Sequence, residues 1–193
     1  MREIKLLALC GSLRQGSNHA TILRTIGTEL LPPQVSLRTH SLHDIPLYDR
    51  DLDEGDLPTS VRDLRQAITE ADGVLIATPE ISYGMSGVIK NALDWLSSHP
   101  SLHPFKGKPV MTLTGSPTFT GGARAQLQLS ESLWAIEATP VAYPQIVITN
   151  TDSKIFEGRL ADEATRQFLA EGMLAMEEMI RLEDLSKLPF AWA

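Results

Sequence analysis

Three short stretches hold most of the side chains suited to chemistry. GSLRQGSN, residues 11–18, gathers hydroxyls at Ser12 and Ser17, a guanidinium at Arg14, an amide at Asn18 and the free backbone N–H groups of a helix about to begin. Those groups match the oxygens of a phosphate monoester, because a helix N-terminus brings orphan donors and partial positive charge to one place. Ser17 or Asn18 would also serve as a plain helix cap. A cap has no use for a cation, however, and Arg14 tilts the balance to phosphate. Neither GxxxxGK[ST] nor GxGxxG occurs, which argues against the usual nucleoside triphosphate and dinucleotide loops.

PEISYG, residues 79–84, follows an apolar run, and its Pro79 and small residues let the backbone lie flat against a planar ligand. Glu80 either orients a neighbouring loop or meets the ligand. Tyr83 either walls the pocket or packs as a half-buried loop aromatic. Lys90, Asn91, Asp94 and Trp95, on the helix behind, suit bracing of the loop or a subunit contact better than chemistry. GSPTFTGG, residues 115–122, adds Ser116 and two glycines that allow close approach of backbone to ligand. Arg124, just inside the next helix, is placed for an anionic substrate or for a salt bridge. The five histidines, His19, His40, His43, His99 and His103, have no metal-ligand spacing, and no GxSxG elbow is present, so metal and hydrolase sites are not expected.

The elements that must position these stretches alternate. IKLLALC (4–10) is a continuous apolar run, the mark of a strand buried on both faces. Ile22, Leu23, Ile26, Leu30 and Leu31 then recur at helical spacing up to Pro32. VSLRTHSL (35–42) alternates as a strand nearer an edge, and DIPLYDRDLDEGDLP follows as an exposed acidic connection. Thr59 or Ser60 is expected to cap a helix running through Asp72. GVLIAT (73–78) and KPVMTLTGS (108–116) are the third and fourth strands. A helix over roughly 122–137 carries Leu127, Leu129, Leu133, Trp134 and Ile136. A fifth strand lies within 140–149, starting after Pro144, and a last helix, from 162 to about 181, turns Phe168, Leu169, Met173, Met176 and Ile180 inward.

Parallel strands need crossovers, and the crossovers here read as helices. The pattern predicts an α/β fold: a doubly wound five-stranded parallel sheet, order 2-1-3-4-5, with helices on both faces, as in flavodoxin-like proteins. In such a sheet ligands bind beyond the carboxyl ends of the strands, and all three stretches leave strands at that edge.

At 193 residues and 42% hydrophobic, the chain is expected to form a single domain spanning 1–193. Its formal charge of −7, without any basic tract, favours neither nucleic acid nor membrane as partner. The lone Cys10 permits no internal disulfide, and there is no export signal or bilayer-length apolar run; a cytoplasmic setting is expected.

LCGSLRQGS, DIPLYDRDLD, ADGVLIATPE followed by SGVIKNALDWLS, and GGARAQ together resemble the NAD(P)H-dependent FMN reductase family, which includes chromate, quinone and azo-dye reductases. The resemblance covers about residues 4–145 in order. It implies noncovalent FMN, NADPH or NADH as co-substrate, a small-molecule electron acceptor, and a homodimer or homotetramer. Hydride would pass from nicotinamide to flavin N5 and from there to the acceptor, with no side-chain acid or base required. Carried over by residue, Ser12, Leu13, Arg14, Ser17 and Asn18 fall on the phosphate loop, Pro79, Glu80, Ile81, Ser82 and Tyr83 on the isoalloxazine loop, and Ser116 on the third flavin-side loop. Two departures stand out: His19 takes the usual asparagine slot of the first loop, and Ile81-Ser82 replaces the Tyr-Asn of the usual PEYN. The second bears on substrate preference and FMN affinity. An FMN electron carrier serving a protein partner, and a flavin-free binding protein of the same fold, are the alternatives.

Overall fold

The computed structural model describes residues 2–98 and 103–186; His99 lies outside them. In chain order the elements are β1 (Ile4–Cys10), α1 (Asn18–Thr25) continuing as a π-helical turn over Ile26–Leu30, β2 (Val35–His40), α2 (Arg50–Glu54), α3 (Thr59–Glu70), β3 (Gly73–Ile81), β4 (Gly84–Met85), α4 (Gly87–Ser97), β5 (Pro109–Gly115), α5 (Ala123–Ala135), β6 (Thr139–Pro140), β7 (Ile146–Ile148), α6 (Thr151–Lys154), β8 (Ile155–Phe156), β9 (Arg159–Leu160) and α7 (Glu163–Ser186).

Among the described residues the main sheet runs β2-β1-β3-β5-β6, with β7 also paired to β5, and its ladders are parallel except for β4, which folds back on β3. This is the predicted flavodoxin-like order, with the fifth position filled by two short segments instead of one strand. Pro140 and Pro144 interrupt it, since proline cannot donate to a ladder and is confined to sheet edges.

Period-two alternation in the strands splits the core. Leu7, Leu9, Val74, Ile76 and Val110 face a layer from α3, α4 and α5, whereas Ile4, Leu6, Ala8, Leu75, Ala77, Met111 and Leu113 face α1 and α7. Both faces being apolar is what makes the central strands read as unbroken hydrophobic runs.

Several expectations change. Thr59 and Ser60 do not cap α3: Pro58 occupies the cap position without a side-chain bond, and the Ser60 hydroxyl donates to the Asp44 carbonyl. The helix ends at Glu70, leaving Asp72 to accept from the Lys5 N–H. The acidic connection is not simply solvated, because α2 forms in it and Asp53 is buried against Arg65 at 2.7 Å. On α5, Leu129 and Leu133 are buried while Leu127 and Trp134 point outward. No helix among the described residues is long and apolar enough to cross a membrane.

Candidate functional site

The three stretches meet at the carboxyl edge of β1, β3 and β5. β1 hands over to the first loop at Gly11, whose N–H continues the ladder to the Ala77 carbonyl. A Cβ there would stand 2.6 Å from the Ser86 hydroxyl, so only glycine lets this loop cross so close to the start of α4. Gly16 then turns the chain with φ +71°. Ser17 is buried and caps α1, accepting from the Ala20 N–H at 3.3 Å. Asn18 turns aside, its amide donating to Thr151 Oγ1 and Asp152 Oδ1, and so fastens α1 to α6. Of the two possible caps, Ser17 is the one used. Arg14 stays exposed, with one guanidinium contact to the Gly16 carbonyl at 3.2 Å, and is the loop's outward cation; Ser12 and Leu13 lie beside it, partly exposed.

The second stretch is a hairpin, not a flat loop. β3 runs on through Pro79, Glu80 and Ile81, turns at Ser82 and Tyr83, and returns as β4 with Glu80 opposite Met85. Both turn residues have positive φ, +49° and +67°, the conformation a two-residue hairpin needs to match strand twist. The Glu80 carboxylate reaches across to α5, accepting from the Arg124 and Ala125 N–H groups at 3.0 and 3.4 Å and pairing with the Arg124 guanidinium at 3.3 Å. α5 starts at a left-handed Gly122 with no cap of its own, so Glu80 supplies one from another strand. Glu80 is thus an orienting residue, and Arg124 is salt-bridged to it. Arg124 also lies 4.2 Å over the Tyr83 ring, which is mostly solvent-exposed and not half-buried.

α4 does brace, but its target is the DIPLYD segment. Asn91 accepts from the Tyr48 N–H and donates to the Pro46 carbonyl, which also takes the Trp95 indole N–H, each at 2.8 Å. Tyr48 packs edge-on to Trp95. Lys90 and Asp94 pair with each other on the outer face.

The third stretch leaves β5 at Gly115. Ser116 donates its N–H to the Ile148 carbonyl, and its hydroxyl accepts from the Thr118 N–H. Phe119, in the middle of the loop, is 82% exposed. Under this edge lies His19, a residue the sequence marks only as an unusual occupant of its slot. It is 6% exposed, flanked by backbone acceptors of Thr78 at the end of β3 and Gly115 at the end of β5, and its Nε2 has no hydrogen-bond partner. Burial lowers its pKa to about 4, with the nearby Arg14 charge acting in the same direction, so the ring is neutral at pH 7. Burial also raises the Cys10 thiol above its usual range, which keeps it from acting as a thiolate.

The residues present fit a phosphorylated planar cofactor. An exposed guanidinium stands at a helix N-terminus, a buried imidazole nitrogen waits unpaired beside it, and close-approach glycines clear Cβ atoms from the strand ends at 11 and 115 and from the start of α5 at 122. A second cleft, of about 260 Å³ at the opposite edge of the sheet, is lined by Arg2, Asp72, Lys108 and Asp184, but Arg2 there already pairs with both carboxylates. It braces the edge.

The family model described as NADPH-dependent FMN reductase matches residues 4–153. An NAD(P)H-dependent FMN reductase of Pseudomonas aeruginosa is 38% identical over 181 residues, covering 93% of this chain and 96% of the relative. A quinone reductase of Escherichia coli K12 is 35% identical over 183 residues, with the same coverage of 93% and 96%. Among solved structures, FerB, a flavoenzyme NAD(P)H:(acceptor) oxidoreductase from Paracoccus denitrificans, superposes with a TM-score of 0.82 at 29% identity, over 92% of this chain and 97% of that one. Matched along most of its length in sequence and in fold, the chain belongs to the NADPH-dependent FMN reductase family.

Proposed function

We propose that the chain is an enzyme that binds FMN noncovalently as one unit across its three loops and passes electrons from NADPH or NADH to a small-molecule acceptor. Quinones are the favoured class, since several relatives are quinone reductases; azo compounds, metal oxyanions and free flavin are further acceptors to assay. The observation that carries this reading is the outward Arg14 at the α1 N-terminus, over a buried His19 with an unpaired nitrogen. When bound, FMN supplies the hydride chemistry.

The chain's own residues bind and orient. Arg14, with the hydroxyl of Ser12 and the backbone N–H groups from Leu13 to Gly16 and of Asn18, holds the phosphate. The backbone of Pro79 to Ser82 presents carbonyl and N–H groups to the ring edge, and Ser116 closes the third side. Ile81 and Tyr83 of the hairpin and Phe119 of the third loop give that edge an exposed apolar rim, Phe119 being 82% exposed. Such a rim suits cover by an aromatic acceptor and by a second subunit, which supports a homodimer or homotetramer.

The visible spectrum of the purified protein tests the reading. A flavin spectrum that bleaches on anaerobic addition of NADPH or NADH and returns with a quinone is expected; protein that neither carries nor binds FMN sinks it. Arg14→Ala should raise the FMN dissociation constant about tenfold or more while leaving thermal unfolding of the apoprotein unchanged, because a charge-assisted phosphate contact is lost from an exposed loop. Fluorescence quenching of FMN during titration measures it.

A further inference from the structure

His19 touches the roots of all three loops at once. It is the second residue of α1 and so rides on the first loop; its ring lies beside the Thr78 backbone where β3 enters the hairpin, and beside Gly115 where β5 enters the third loop. A Cβ at Gly115 would stand 3.4 Å from its Nε2, a contact close enough that the glycine and the imidazole fit each other. The neighbouring side chains are committed elsewhere: Ser17 to the cap, Asn18 to Thr151 and Asp152, and Thr78 Oγ1 between the Pro79 carbonyl and the Ser86 N–H. His19 alone among these polar groups keeps an unsatisfied buried atom, which costs free energy unless something completes it.

We propose that His19 is a positioning residue for the cofactor, a neutral imidazole that ties the three loop roots together and whose hydrogen bonding changes when the phosphate loop is filled. This rests on the FMN reading above and deepens it. A ring that rides on the helix of the first loop and lies beside the ends of β3 and β5 transmits occupancy of the first loop to the other two, so the phosphate, not the flavin ring, is the part of the ligand it senses. Leucine at this position keeps the bulk and loses both nitrogens. Glutamine keeps an N–H donor and an acceptor.

The test uses the full chain and compares FMN with riboflavin, which lacks the phosphate. His19→Leu is expected to raise the FMN dissociation constant about tenfold, with the riboflavin constant changed less than about threefold, and His19→Gln to return FMN affinity to within about threefold of wild type. In wild-type protein the ring nitrogen signals of His19, followed by 15N NMR, are expected to move on addition of FMN and not of riboflavin. Unchanged FMN affinity in His19→Leu overturns the proposal, as does His19→Gln binding as weakly as His19→Leu, or a His19 signal indifferent to FMN. The NMR arm decides if His19→Leu does not fold. Wild-type protein that binds no FMN at all sinks the cofactor reading itself, an outcome distinct from wild type and His19→Leu binding FMN equally well.

Discussion

Ser82 and Tyr83 are consecutive non-glycine residues in left-handed backbone, where an L side chain crowds its own peptide. The hairpin demands this, because its two-residue turn must carry positive φ twice. Asparagine tolerates the first of these positions better than serine does. Ser82→Asn should therefore stabilise the protein by about 0.5 kcal/mol, seen as a higher urea midpoint at constant slope; a lower midpoint would mean that the serine hydroxyl is itself engaged. His19 gives a second residue-scale prediction. Its folded pKa of about 4 lies below the ordinary 6.5, so between those values the unfolded chain binds the proton more readily than the folded one. The stability held by the neutral ring is fully present above pH 6.5 and falls, by on the order of 3 kcal/mol, as the pH drops towards 4. Denaturant unfolding of wild type and His19→Gln at pH 7 and pH 4.5 should show the variant losing less on acidification.

At the scale of elements, the hairpin and α5 are one unit. Glu80 lies on a strand yet caps a helix 44 residues on, and Arg124 returns the contact to both Glu80 and Tyr83. Glu80→Ala should cost about 1–2 kcal/mol through two uncapped N–H groups and the lost dipole partner. It should also release Tyr83, so denaturant unfolding and the hydrogen-exchange rates of the β3–β4 turn would change together. A stability loss without faster exchange in the turn would uncouple the two. PEISYG does not declare this role, because a carboxylate after an apolar run reads equally as loop, cap or ligand contact until its partner's position is known. The α4 side chains Asn91 and Trp95 are legible as braces from their polar-aromatic pattern, but the segment they hold, DIPLYD, is adjacent only in the folded chain.

Across the whole molecule, one ion pair joins regions that the chain order separates. The Arg65 guanidinium on α3 bonds Asp53 of the acidic connection at 2.7 Å and the Trp95 carbonyl at the end of α4, all of them buried. Removing one partner strands a buried charge, so Asp53→Ala should cost about 3–5 kcal/mol, whereas Asp53→Leu with Arg65→Met should cost well under the sum of its single changes. Double-mutant unfolding measures this, and strict additivity would refute it. The sequence by itself determined the layered α/β fold and its strand order, since apolar runs buried on both faces and helical crossovers are local patterns with few topological solutions. It also picked out the three loops, whose residue types suit phosphate and close backbone approach. Only the tertiary structure decided which of their side chains remain free: Ser17, Asn18 and Glu80 are spent on capping and fastening, while Arg14 is left outward and His19 inward with an open nitrogen. A polar side chain's role depends on which partners lie within about 3 Å, and contacts between residues far apart in the chain set that distance.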